Sequence, residues 1–255
     1  MITLFTDLDH TLIYSHRSKP DTPCIQVESL HDKPQSFMTE KTWTVLKALV
    51  DDEKLQIVPV TTRKKEQYDR LNCLSNHLNI RYALICNGAV LLDQGAIEPA
   101  WLDESLSIAG EQLEEVSRAE NELRKCCGTE KTFFPYRIMT YGVSDNAEQY
   151  ADKLRGKIDQ NKCFIASDSR KVYCIPAALN KGVAVKRFRQ RFDCRKSVCA
   201  GDSEFDVPML CETDYAVFPE KLLSLELSSA YFPVKKNQIL SDELCTILQY
   251  LAQAE

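Results

Sequence analysis

Two carboxylates separated by one residue open the sequence Asp7-Leu8-Asp9-His10-Thr11, directly after the apolar run from Ile2 to Thr6. A carboxylate at the end of a buried strand can serve as an oxygen nucleophile. A second one two positions on points the same way while the backbone stays extended, and can give and take a proton. Three more pieces share this chemistry: Thr61-Thr62-Arg63, Asn180-Lys181-Gly182 and Gly201-Asp202-Ser203-Glu204-Phe205-Asp206. Together they hold what phosphoryl transfer needs: an oxygen nucleophile, cations set against the phosphate charge, and a proton donor for the leaving alkoxide. Asp7 is the candidate nucleophile, able to form an aspartyl-phosphate, and Asp9 the candidate acid and base. Thr11 would orient both by hydrogen bonding. Thr61 offers a hydroxyl and a backbone amide to the phosphate, and Lys181 a mobile cation between nucleophile and phosphate. Asp202 supplies a hard oxygen for Mg²⁺, and Asp206 would hold that ion's waters or Lys181. Thr62, Arg63 and Asn87 complete the candidate substrate contacts, together with Lys181.

These pieces are useful only if the fold brings them together. Ile2 to Thr6, residues 55 to 60 and residues 82 to 86 are short apolar runs that each stop at polar residues, as buried strands do. Helical patterns separate them: Thr39 is placed to cap a helix over residues 40 to 51, and Leu71, Leu74 and Leu78 share one helical side. Three strand–helix steps predict a parallel sheet, whose loops meet at one edge. Residues 15 to 38 are polar, broken by Pro20, Pro23 and Pro34, and read as a flap containing a hairpin arm at residues 24 to 27. From residue 89 to 176 the rhythm changes to a long helix over 102 to 126, an aromatic strand over 132 to 141, a helix over 146 to 157 and strands near 163 to 166 and 172 to 175. The strand–helix rhythm returns with a helix over 181 to 192, strands over 197 to 200 and 215 to 218, and a last helix over 242 to 253. The expected organisation is a Rossmann-like α/β core, residues 1–88 and 177–255, interrupted by an α+β module, residues 89–176.

With 255 residues, 44% of them hydrophobic, the chain can bury a core, and its net charge of −5 gives no general attraction to nucleic acid or anionic membrane. No stretch approaches the roughly 20 apolar residues of a membrane span, and the acidic pair precedes any signal-like segment, so a cytoplasmic protein is expected. The eleven cysteines are odd in number and form no CxxC pair; reduced thiols packed as small hydrophobes are expected. The basic run at residues 186 to 191 carries Phe188 and Phe192 at helical spacing, which predicts a buried side and a solvated basic side rather than a nucleic-acid surface. Leu106, Ala109, Leu113, Val116 and Leu123 share one helical side, which is expected to cover the module's own sheet, leaving a monomer or weak homo-oligomer.

The four pieces, in this order, resemble the four motifs of the haloacid dehalogenase (HAD) superfamily across the whole chain outside residues 89–176. The resemblance implies Asp7 as nucleophile, Asp9 as general acid and base, and Mg²⁺ held by Asp7, Asp202 and the backbone carbonyl of Asp9. A carboxylate at the Asp9 position is what the superfamily's phosphatases and phosphomutases carry. The α+β insert between the second and third motifs, entered at Asn87-Gly88-Ala89, is similar to that of subfamily IIB, which includes Cof-like and sucrose-phosphate phosphatases. There it implies a cap that selects substrate, for which Tyr136, Arg137, Tyr141, Arg170 and Lys171 are the candidates here. Three positions depart from the pattern: Thr62 stands where Gly is usual, Phe205 where an Asn often assists the metal, and His10 where Gly is common. The expected activity is Mg²⁺-dependent hydrolysis of a small phosphomonoester, a sugar phosphate or another phosphorylated metabolite. The alternatives are a phosphomutase of the phosphomannomutase type and a non-catalytic ligand-binding protein of this fold.

Overall fold

Ile2–Thr6 forms β1 and is buried at every position, as an apolar run without alternation must be when both faces of its sheet are covered. The computed structural model describes residues 1–223 and 229–253. They fall into two units, residues 1–98 with 181–255, and residues 99–180. In chain order β2 (Tyr14–Ser15), β3 (Cys24–Leu30), β4 (Lys33–Thr39), α1 (Glu40–Asp51) and β5 (Leu55–Pro59) come next. The short helices α2 (Lys65–Tyr68) and α3 (Asn72–His77) lead to β6 (Tyr82–Ile85), β7 (Val90–Asp93) and β8 (Ala96–Ile97). The second unit contains α4 (Pro99–Ala109), α5 (Gln112–Cys127), β9 (Thr132–Phe133), β10 (Thr140–Val143), α6 (Ala147–Arg155), β11 (Cys163–Asp168) and β12 (Lys171–Pro176). The first unit then resumes with α7 (Lys181–Arg191), β13 (Lys196–Ala200), α8 (Val207–Leu210), β14 (Tyr215–Pro219), β15 (Ala230–Val234) and α9 (Leu240–Gln253).

The first unit is the expected α/β core. Among the described residues its sheet has five strands in the order β15, β14, β13, β1, β5, every pairing parallel. A parallel bridge from Val60 to Leu84 sets β6 beside β5. Residues 24 to 39 form the hairpin expected of the flap, with β2 on the far side of β4. Phe188 of α7 packs edge-on against Phe5 and Tyr82, and Phe192 lies against Tyr82. Two basic residues of that helix are paired, Arg189 with Asp214 and Arg191 with Glu98, while Arg187 is buried rather than solvated.

Thr39 caps α1 as its sequence position suggests, its hydroxyl accepting from Thr42 N at 3.0 Å. It also donates to Asp242 in the first turn of α9, to which Thr42 donates as well, so one carboxylate ties the starts of two helices together. Thr39→Ala is expected to lower the unfolding free energy by about 1–2 kcal/mol, with Thr39→Ser retaining most of it; urea denaturation measures both.

Four local features depart from the sequence-based expectations. Residues 90–98, expected in the insert, form β7 and β8 and pair with β6 in the first unit. The turn between β7 and β8 is Gln94-Gly95, with φ of 50° and 79°, the left-handed pair that a two-residue hairpin turn demands. The helix expected over 102 to 126 is two helices, broken at Gly110 with φ of 47°. Val116, Ala119 and Leu123 of α5 nevertheless cover the unit's own sheet, packing with Ala147, Ala151 and Leu154 of α6 over Cys163, Ile165, Val172 and Cys174. The strand expected over 132 to 141 is interrupted after β9 by Pro135 and by Tyr136 and Arg137 at positive φ. Finally, β15 was not anticipated; it is short and carries Pro233, which weakens any strand signal.

The second unit is α+β, with an antiparallel sheet in the order β11, β12, β10, β9. Tyr141 and Tyr173 face one another across β10 and β12, and alternation puts them opposite Val172 and Cys174. Phe133 stacks on Tyr141, and Lys171 Nζ lies 5.8 Å from the Tyr141 ring and 5.9 Å from the Tyr173 ring. Arg170 pairs with Asp145. All eleven cysteines are free, with Cys86 and Cys199 buried as small hydrophobes. Among the described residues no helix is long and apolar enough to cross a membrane.

Candidate active site

The carboxyl ends of β1, β5, β6 and β13 lie side by side, because backbone pairing continues past the ends of β1 and β5. Asp7 N donates to Ala200 O at 2.9 Å, Val60 N to Thr6 O at 2.7 Å and Thr61 N to Leu84 O at 2.9 Å. Asp7, Thr61, Asn87 and the loop after Ala200 therefore share one edge, as sheet topology requires. Lys181, the first residue of α7, reaches the same place. Its Nζ donates to Asp7 Oδ1 and to Asp206 Oδ1, each at 2.6 Å, and the residue is 1% exposed.

Asp206 is fully buried, and both of its oxygens are engaged. Oδ1 accepts from Lys181, while Oδ2 accepts from Asp202 N, Ser203 N and Ser203 Oγ, each at 2.9 Å. A Cβ on Gly201 would lie 2.3 Å from the Asp206 Cβ, so only glycine lets the loop close over this carboxylate. Gly182 has the same role for α7, where a Cβ would lie 2.4 Å from Pro208 O. Phe205 contributes no oxygen, yet the loop's hydrogen bonds to Asp206 are complete without it, and its side chain is buried at 8% exposure.

Asp7, Asp202 and Asp206 each present an oxygen within 4.8 Å of the others. Burial pushes the Asp7 carboxyl well above the usual range against the pull of Lys181, with Asp206 and Asp9 adding to the rise. Burial, then the charge of Asp206, pushes Asp202 up to about 6. Lys181 goes the other way: burial alone would weaken its ammonium, but Asp206 and Asp7 outweigh that and raise it above its ordinary value. Two buried carboxylates and a third, partly exposed one, with hard oxygens this close together, are a donor set suited to a small divalent cation. Since Asp206 already accepts four hydrogen bonds, the open oxygens belong to Asp7 and Asp202. Lys221 Nζ stands 3.9 Å from Asp202 Oδ2, a rim cation the sequence did not single out.

Asp9 is turned to a different partner. Arg63 meets it side-on, Nε to Oδ2 and Nη2 to Oδ1, both at 2.8 Å. Arg63 was expected among the substrate contacts; its guanidinium is instead committed to Asp9, to Glu28 at 3.0 Å and to Gln67 O at 3.2 Å. Burial would lower the Arg63 pKa, but the bonds and charges of Asp9 and Glu28 raise it, so the group stays charged. Thr61 Oγ1 accepts from Arg63 N at 3.2 Å, and Asn87 N donates to Thr61 O at 2.8 Å, which joins the second motif to the end of β6. Asn87 occupies the left-handed region at φ of 60°, where Asn is tolerated. Thr62 has no positive φ, so the residue that stands where Gly is usual fits its turn without strain. His10 is the strained substitution, at φ of 62°, a conformation that costs a residue with a side chain about 1 kcal/mol. The Thr11 hydroxyl is buried and has no hydrogen-bond partner among the described residues. Glu28 and Arg70, which complete the surroundings of Arg63, were not flagged by the sequence.

No sequence-family model matches the chain, and no curated protein matches it in sequence. Solved structures do. A HAD subclass IIB sugar phosphatase, BT4131, superposes with a TM-score of 0.64 at 15% identity, covering 98% of this chain and 99% of its own. The sucrose-phosphatase from Synechocystis sp. PCC6803, solved with sucrose and phosphate, gives a TM-score of 0.59 at 13% identity, covering 98% and 97%. A trehalose-6-phosphate phosphatase from Aspergillus fumigatus gives 0.53 at 13% identity, covering 99% and 93%. Matches that span nearly both chains at such low identity speak to architecture: this chain has the fold of the HAD superfamily proteins of subclass IIB.

Proposed function

We propose that the chain is a Mg²⁺-dependent phosphatase that hydrolyses a small phosphomonoester through an aspartyl-phosphate on Asp7. The observation that carries this reading is Lys181, a buried cation 2.6 Å from both Asp7 and Asp206 at the strand edge. A lysine in that position is costly to bury unless it has electrostatic duties there. Lys181 holds Asp7 Oδ1, which leaves Oδ2 to attack phosphorus while the bond from phosphorus to the leaving oxygen breaks. Asp9 passes a proton to that oxygen, then takes one from the water that attacks the phosphoryl group and frees Asp7. The Thr61 hydroxyl and the Thr62 amide hold the phosphate oxygens, and Asp206 keeps Lys181 and the Asp202 loop in place. Asp7, Asp202 and the Asp9 carbonyl would hold Mg²⁺, which supplies charge neutralisation to the phosphate. Sugar phosphates are the first substrates to consider, because the chain shares its whole architecture with sugar phosphatases. Eleven free thiols fit a reducing compartment such as the cytoplasm.

The test is phosphate release across hexose, pentose and disaccharide phosphates and a nucleoside monophosphate. Mg²⁺-dependent release from at least one is expected, falling about 100-fold or more when a chelator removes the metal. Ligand-induced stabilisation with no release would overturn the reading in favour of a binding protein. Phosphate moved within a sugar rather than released would identify a mutase.

A further inference from the structure

Glu28 has a buried carboxylate that phosphoryl transfer, as described, does not use. It lies in β3, where Val27 and Glu28 are both buried although successive strand residues point to opposite faces. The register against β4 explains this. Gln26 pairs with Phe37 and Glu28 with Ser36, and the pairing slips both before and after Glu28. Such a bulge is the device by which a strand re-aims one side chain. The re-aimed carboxylate is 0% exposed. Its Oε1 accepts from Arg70 Nε at 2.8 Å, and its Oε2 from Arg63 Nη2 at 3.0 Å and from Ser36 Oγ at 2.5 Å.

A buried carboxylate is costly unless it is paired, and apolar packing would serve a hairpin as well. What Glu28 adds is a fixed position for Arg63. That guanidinium is pulled by Asp9 on one edge, by Glu28 on Nη2 and by Gln67 O on Nη1, while its backbone is held by Thr61 Oγ1 and by Cys86 N. Without Glu28, Arg63 and Arg70 would lose the anion between them, and Arg63 would follow Asp9 rather than define its place.

We propose that Glu28 is a positioning residue for the acid–base step, fixing the Arg63 guanidinium and through it the orientation of the Asp9 carboxylate. The proposal rests on the reading of Asp9 as acid and base. Its signature is dependence on the leaving group. An alkoxide departs with a proton, whereas p-nitrophenolate departs without one, and kcat/KM covers the steps through that departure.

The experiment compares kcat/KM for p-nitrophenyl phosphate with that for the sugar phosphate the unaltered protein hydrolyses fastest. Glu28→Gln is expected to lower the sugar phosphate value by about tenfold to 100-fold and the p-nitrophenyl value by less than about threefold. Because both substrates meet the same active molecules, the ratio is unaffected by partial unfolding. Ser36→Ala, which removes one donor to Glu28, is expected to shift the ratio the same way by a smaller factor. Equal losses on the two substrates, or no loss, would overturn the proposal. Asp9→Asn separates the failures. If it shifts the ratio and Glu28→Gln does not, only the role of Glu28 is lost. If it leaves the ratio unchanged, or if the unaltered protein turns over neither ester, the reading of Asp9 fails and the proposal with it.

Discussion

Replacing Asp7 by Asn is expected to lower kcat toward every phosphate ester by at least about 10⁴-fold while changing the unfolding free energy by no more than about 1 kcal/mol. The activity loss follows from the proposed route: an amide oxygen is a poor nucleophile, and without an aspartyl-phosphate that two-step route is closed. The small stability change follows from the site. Asp7 is a carboxylate whose charged form is disfavoured, first by burial and then by Asp206 and Asp9, so a neutral isostere relieves repulsion. The favourable contact is largely kept, since an Asn Oδ1 can accept the bond that Lys181 now gives to Asp7 Oδ1, and Lys181 retains Asp206. Phosphate release and urea denaturation on the same preparation check both parts. Near-normal turnover in a preparation free of the parent protein would remove Asp7 from the nucleophile's place.

The contrast between Asp7 and Arg63 shows which parts of this site a sequence can display. The place of Asp7 is local, since a run of apolar residues that stops at an acid reads as a strand end, while its candidate role comes only from the four pieces taken together. The Gly201–Asp206 segment follows an apolar strand in the same way, whereas Lys181, at the start of a helix, is legible only beside the other pieces; the parallel core followed from the spacing of the strand–helix steps. Arg63 lies in the loop after β5, but what its side chain does is decided by Asp9, Glu28 and Gln67, two of them distant in sequence. Glu28 was hidden further, because its inward aim depends on a bulge set by the pairing of β3 with β4, and a one-residue slip exchanges faces without changing composition. At the expected start of the insert the chain carries a local turn signal: Gln94-Gly95 closes a tight hairpin that pairs β7 with β8, and β7 pairs with β6. Gly110 and Pro135 were likewise visible as residues; that each breaks its element rather than being absorbed was settled by the positive φ at or just after it.

Lys181→Met is expected to cost activity and stability together, and the pairing of the two losses identifies what the lysine does. Methionine fills nearly the same volume with no charge, so packing of the side-chain stem is kept and the loss is electrostatic. Two buried carboxylates, Asp7 and Asp206, would then face each other without the cation that now lies 2.6 Å from each. Removing one partner from a buried ion pair costs about 3–5 kcal/mol, measurable by urea denaturation. Turnover is expected to fall about 10³-fold, since a preorganised cation that is itself 1% exposed contributes at least as much as an oxyanion-hole donor. Mg²⁺ in excess is expected to recover part of the stability, because Asp7 and Asp202 retain open oxygens for it, and none of the turnover. Asp206 Oδ1 loses its donor in this variant, while Oδ2 keeps the Asp202 and Ser203 amides inside the loop. Lys181→Arg is not expected to rescue activity, because a planar guanidinium cannot occupy the point between two carboxylate oxygens that an ammonium fills. If Mg²⁺ restored turnover in step with stability, Lys181 would be a structural counter-ion, and the charge facing the phosphate would have to come from another residue of this edge.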